Sequence, residues 1–141
     1  MTITLESAVE RFGVGVLDHL DMEVSIPVVD FGRQGDVIVI PGRLILDELT
    51  YNAATPVPSE GVAVVRSENG GNTHLLLADG DVRFDAREAT TSDLTLGVLT
   101  VAQGSTAYLA HPEHGYIGFH PGTYHVRRQR EQAEIVRLVK D

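Results

Sequence analysis

Cysteine is absent from the 141 residues, which excludes disulfides and every thiolate metal site, zinc ribbons included. The same absence fits a reducing compartment, and a cytoplasmic protein is the expectation. No apolar run approaches the roughly 20 residues that cross a bilayer, so no membrane partner is expected. The opening Met1-Thr-Ile-Thr-Leu-Glu-Ser7 lacks the basic flank and apolar stretch of a secretory leader. Positive charge is scarce: 11 Lys and Arg stand against 20 Asp and Glu, a net charge of −9. That balance argues against general nucleic-acid binding, which needs concentrated cations. There is no Gly-x-Ser-x-Gly and no glycine-rich phosphate loop closing on Lys-Ser/Thr, which removes the serine-hydrolase elbow and the P-loop.

What charge there is divides unevenly. Residues 127–141 hold five cations (Arg127, Arg128, Arg130, Arg137, Lys140) against three anions, net +2, which leaves −11 on the first 126. A basic tail on an acidic body could dock on its own domain, on a second subunit or on an anionic partner. Arg127, Arg128 and Arg130 are therefore the candidate partner-binding residues, with a homo-oligomer or a protein partner in view.

Hydrophobic residues make up 43% of the chain, enough for the core of one domain over 1–141. Its parts are a helical N-terminal segment (1–22), a β-rich body (23–130) and a C-terminal element (131–141) that reads as a short helix or a last strand. Leu5, Val9, Phe12, Val16 and Leu20 fall on one helical face, although Gly13 and Gly15 invite a stop or kink after Phe12. From Met22 onward the pattern becomes that of strands. Residues 24–31 alternate, residues 36–40 are β-branched and end at Pro41-Gly42, and residues 43–49 suit either strand or helix. Residues 52–61 form the most loop-like stretch, with two prolines. Short strands follow at 62–65, 74–77, 82–84, 95–101, 107–110, 116–119 and 123–129, parted by turn-forming Asn-Gly, Asp-Gly and Pro-Gly pairs. Many short strands with tight turns predict an antiparallel sandwich or distorted barrel carrying an N-terminal amphipathic helix.

Four of the six histidines crowd into His111-Pro-Glu-His-Gly-Tyr-Ile-Gly-Phe-His-Pro-Gly-Thr-Tyr-His125. Imidazole is both the commonest metal ligand and the usual acid or base near neutral pH. Along a strand, residues three apart face opposite ways, so His111 and His114 could share a ligand only if Pro112 bends the chain into a turn. Two imidazoles and the Glu113 carboxylate then suit Zn²⁺, Mn²⁺ or Fe²⁺, or an acid–base pair. The competing reading is a polar turn with solvated side chains. His74 beside Leu75-Leu-Leu joins the set only if the sheet carries it there; His19 reads as surface. In the last strand, Tyr124 and Val126 inward would turn His125 and Arg127 outward or into a cleft, and His120 falls on a turn. Asp79-Gly-Asp81 and Asp85 read as solvated turns rather than a Ca²⁺ site.

The spacing Gly115-x5-Pro121-Gly122-x2-His125 resembles the second cupin motif but is one residue short, and the first cupin motif is missing. A closer likeness joins Gly32-Arg-Gln-Gly-Asp-Val-Ile-Val-Ile-Pro41, Gly71-Asn-Thr-His74, Leu109-Ala-His-Pro-Glu-His114 and Pro121-Gly-Thr-Tyr-His-Val-Arg-Arg-Gln-Arg-Glu131, closing on Val139-Lys-Asp141. Together they resemble an uncharacterised family of small bacterial and phage proteins with Gln-Gly-Asp-Val, Gly-His-x-His, His-x-Glu-His and Gln-Arg-Glu elements. The resemblance covers about residues 32–141 and implies no activity. Here Asn72 stands where the family has a histidine, so a metal site would lose one ligand or use a weaker oxygen donor.

These readings leave His74, His111 and His114 as candidate ligands of a divalent transition metal, Glu113 as candidate general base, and Tyr124 and Arg128 as candidate supports behind them. The leading expectation is a β-rich binding or accessory module acting in an oligomer or with a partner. A metal-dependent hydrolase is the alternative, and a structural assembly or phage component the third.

Overall fold

The computed structural model describes residues 3–16, 22–44, 51–65, 73–87 and 94–128. Their elements are α1 (Leu5–Phe12), β1 (Val28–Val29), β2 (Gly32–Gln34), β3 (Val37–Pro41), a 3-10 turn at Gly42–Leu44, and β4 (Val62–Val65). Then come β5 (His74–Asp79), β6 (Val82–Ala86), β7 (Thr95–Val101), β8 (Thr106–His111), β9 (Gly115–Phe119) and β10 (Gly122–Arg128).

The strands build two five-stranded sheets, β1-β9-β8-β5-β4 and β2-β3-β10-β7-β6. Neighbours pair antiparallel except β1, which lies parallel to β9. The arrangement is a sandwich rather than a closed barrel. Four short connections, at 30–31, 80–81, 102–105 and 120–121, each pass the chain from one sheet to the other. Alternation decides which side chains meet between the sheets. Leu76, Leu109 and Phe119 from the first sheet pack on Val37, Val39, Phe84, Leu99, Tyr124 and Val126 from the second. The outer face of the first sheet presents Leu77, Tyr108, Ala110 and Tyr116, and α1 covers them with Leu5 and Ala8. Each of the larger apolar side chains contributes about 1.5–3 kcal/mol by leaving water.

An eight-residue helix does not hold by itself, so α1 depends on this packing and on its caps. The Thr4 hydroxyl accepts from the Ser7 N–H at 3.1 Å, and Gly13 ends the helix at φ +78° with its N–H on the Val9 carbonyl. The helical expectation over 1–22 is therefore too long: residues 13–16 are not helical, and 17–21, with His19, lie outside the described residues. The strand expected over 24–31 also shrinks, to Val28–Val29 plus a bridge between Thr4 and Ser25. Pro27 has no N–H to give a ladder. Most of residues 43–49, all of 131–141 and Asn72 likewise lie outside the described residues. Among the described residues no helix is long and apolar enough to cross a membrane.

Candidate functional site

One end of the sandwich gathers three histidines through register alone. Leu75 pairs with Ala110 between β5 and β8, so one step further His74 stands beside His111. Leu76 and Leu109, two residues along each strand, point into the core. His74 and His111 therefore point inward too, closing the core at its edge, and are only 5% and 6% exposed. Beyond His111 a three-residue turn, 112–114, leads to Gly115, which pairs back with His111 at φ +77°. That turn does what Pro112 suggested and swings exposed His114 back over its neighbours. Ring centroids lie 4.4 Å apart for His74–His111, 4.6 Å for His111–His114 and 6.2 Å for His74–His114.

The opposite wall comes from the other sheet. β2 and β3 are joined by the two-residue turn Gly35-Asp36. Gly35 has φ +60°, and a Cβ there would lie 3.1 Å from His114 Nε2 and 3.3 Å from His74 Cε1. The imidazoles thus sit against bare backbone, which only glycine offers. Buried Gln34 stitches the two walls. Its Nε2 donates to the carbonyls of Leu109 and Gly115, both at 3.0 Å, and its Oε1 lies 2.9 Å from His74 Nδ1. Two carbonyl acceptors fix which way the amide faces, so Oε1 must accept from Nδ1–H of His74. The remaining nitrogen, Nε2, then carries the lone pair of the neutral ring. It faces Asp36 Oδ1 at 3.7 Å, while Asp36 Oδ2 accepts from Arg128 Nε at 3.2 Å.

Both buried rings stay neutral near pH 7. Burial, then the charge of His111, pushes His74 down to about 4, against the opposing pull of Asp36. Burial, then His114, also lowers His111. The Glu113 backbone N–H donates to His111 Nδ1 at 3.1 Å, so His111 keeps its proton on Nε2. One donor atom each from His111, Glu113 and His114 lie within 4.8 Å of one another. His74 stands outside that three-donor set, against the expected His74–His111–His114 trio, although its ring touches His111. Beside His114 opens a mainly apolar cavity of about 140 Å³, lined by Leu5, Val24, Ile26, Pro27 and Tyr116 among others.

Other expected residues fall elsewhere. Tyr124, expected behind the metal ligands, lies in the core against Phe119, and its hydroxyl donates to the His120 carbonyl. An inward position in the central strand of its sheet dictates that place. Arg128 does reach the cluster, through Asp36. Arg127 is 7% exposed with its guanidinium on Thr95 Oγ1, which takes it off any exposed basic patch; Arg130 lies outside the described residues. His125 is buried and lines a small polar cavity with Asp85 and Thr95 on the outer side of the second sheet. Asp79 and Asp81 pair with Arg11 and Arg83, and Asp85 accepts from the Ala54 and Thr55 N–H groups. Sequence reasoning assigned no role to Gln34 and Asp36. Their only signal was the Gln-Gly-Asp-Val element.

The architecture and its polar end define a class, a β-sandwich with an imidazole-lined site at one edge of its core. Within that class the chain belongs to a family described as a domain of unknown function, DUF8820, which matches residues 33–129. The match spans Gln34, Asp36, His74, His111, Glu113, His114 and Arg128 and leaves α1 outside. No curated protein and no solved structure matches the chain.

Proposed function

We propose that this protein is a small binding module whose histidine cluster holds a divalent transition metal. The carrying observation is the donor set of His111, Glu113 and His114 within 4.8 Å, backed by the ring of His74. Nitrogen and carboxylate donors without thiolate suit Zn²⁺, Mn²⁺ or Fe²⁺. Uptake through His111 Nδ1 displaces the Glu113 N–H, a loss of about 1 kcal/mol that metal binding outweighs. The apolar cavity beside His114 offers room for the hydrocarbon part of a ligand bound at the metal.

Metal content of tag-free protein, beside a His111→Ala/His114→Ala variant, tests this reading. Near-stoichiometric Zn, Mn or Fe that disappears in the variant supports it. No metal, together with an unchanged melting temperature in the variant, sinks it. A second reading, a metal-dependent hydrolase, draws on the exposure of Glu113 beside His114, where a free carboxylate serves as general base. Hydrolysis of ester or phosphoester substrates that Glu113→Gln abolishes without loss of metal would favour it.

A further inference from the structure

We propose that Asp36 is a metal ligand, its Oδ1 sharing one divalent cation with Nε2 of His74 at the rim of the histidine cluster. The inference rests on the metal-binding reading; His74 and Asp36 lie outside the set of His111, Glu113 and His114, so one ion shared with that set draws the exposed side chains of Asp36, Glu113 and His114 inward.

His74 Nε2 and Asp36 Oδ1 are 3.7 Å apart, too long for a hydrogen bond. The gap is also too short for a bridging water. Two hydrogen bonds of about 2.8 Å meeting at a water's wide angle hold their partners roughly 4.5 Å apart. Two metal bonds of about 2.1 Å span 3.7 Å at an angle of roughly 125°, within the range of a four- or five-coordinate divalent ion. The tautomer excludes a simpler answer. Gln34 Oε1 accepts from the Nδ1–H of His74, so Nε2 of the neutral ring carries a lone pair 3.7 Å from a carboxylate oxygen. Two lone pairs placed this close repel, and a cation between them turns that repulsion into attraction.

The surroundings are those of a supported ligand pair. His74 is buried and donates its second nitrogen to an amide oxygen, the usual way a metal-bound imidazole is oriented. Asp36 is held from behind by Arg128 on Oδ2, which leaves Oδ1 toward His74. Its carboxylate is about half exposed, so an ion and its remaining waters have access from solvent. Arg128 is a positioning residue. Imidazole nitrogen with carboxylate oxygen selects Zn²⁺, Mn²⁺, Fe²⁺ or Co²⁺ over Cu⁺ or Mg²⁺.

Titration of the tag-free, metal-stripped chain with Zn²⁺ and with Co²⁺ tests the assignment, with the visible Co²⁺ bands as a second readout. Asp36→Asn and Asp36→Ala should weaken binding about 10- to 100-fold or more and shift the bands. Arg128→Gln should weaken it less and leave the bands in place. A thermal melt of each variant confirms the fold, and two replacements at an exposed turn guard against one misfolding. Wild-type affinity and unshifted bands in both Asp36 variants, with binding lost in His111→Ala/His114→Ala, would overturn the role of Asp36 and leave the binding module standing. Failure of the wild-type chain to bind either metal would overturn both.

Discussion

The two ends of the β5–β8 ladder both carry polar residues, yet they satisfy them in opposite ways. At the end where Asp79 pairs with Thr106, Arg11 grips the Asp79 carboxylate with two bonds of 2.8 and 3.1 Å. The next turn is closed by Ser105, whose hydroxyl accepts from the Asp81 N–H at 2.8 Å. Donors meet acceptors there, with the Arg11–Asp79 pair partly in water and Ser105 buried. At the other end two buried imidazoles lie ring to ring, and a bare nitrogen faces a carboxylate. A polar strand end is structural when its protons and lone pairs match. It becomes a candidate site when buried imidazoles and a carboxylate turn lone pairs toward one another, a mismatch that a bound cation relieves.

The largest way to break the contrast is Gln34→Ala. It leaves the Leu109 and Gly115 carbonyls and the His74 N–H without their buried partner, at about 1–3 kcal/mol each before relaxation. A loss of about 3–5 kcal/mol in urea unfolding is expected, together with loss of metal affinity. The next effect comes from pH. Unfolded, His74 titrates near 6.5, and folded near 4, so between these values the unfolded chain holds the extra proton. Stability of metal-free protein is therefore complete above pH 6.5 and falls by about 3 kcal/mol as pH drops toward 4. His111 pulls the same way. Urea midpoints at a series of pH values should show this slope, flattened in His74→Gln.

At the opposite end, Gly80→Ala forces φ +99° on a side chain whose Cβ would meet Ser105 Oγ at 2.4 Å. It should cost about 2 kcal/mol and leave metal binding unchanged, which calorimetric titration can check. The smallest effect is Asp79→Asn. It breaks an exposed ion pair and should change stability by about 0.5 kcal/mol, diminishing in salt.

Much of the scaffold was legible in the chain. β4 and β7 occupy the residues that alternation and turn chemistry indicate, and the other late strands differ only by one or two at their ends. The turn at Pro112 was legible as well, since a strand could not have brought His111 and His114 to one side. Less legible was the site's far wall. Gln34 and Asp36 lie 40 and 38 positions before His74, and no local period links them. Tyr124 misled because its alternation reads correctly as inward, and inward here means the core rather than the cluster.

The short antiparallel strands, an amphipathic helix near the N-terminus and a histidine-rich turn after β8 were already written in the chain. All of these follow from period, caps and turn residues acting over a few positions. The meeting of distant strands, by contrast, put His74 beside His111, let Gln34 set its tautomer and brought Asp36 across from its Nε2. Those facts depend on strand register and on two sheets meeting at one edge. The packing of the whole core sets both, because a shift of one residue would turn each inward histidine to the other face.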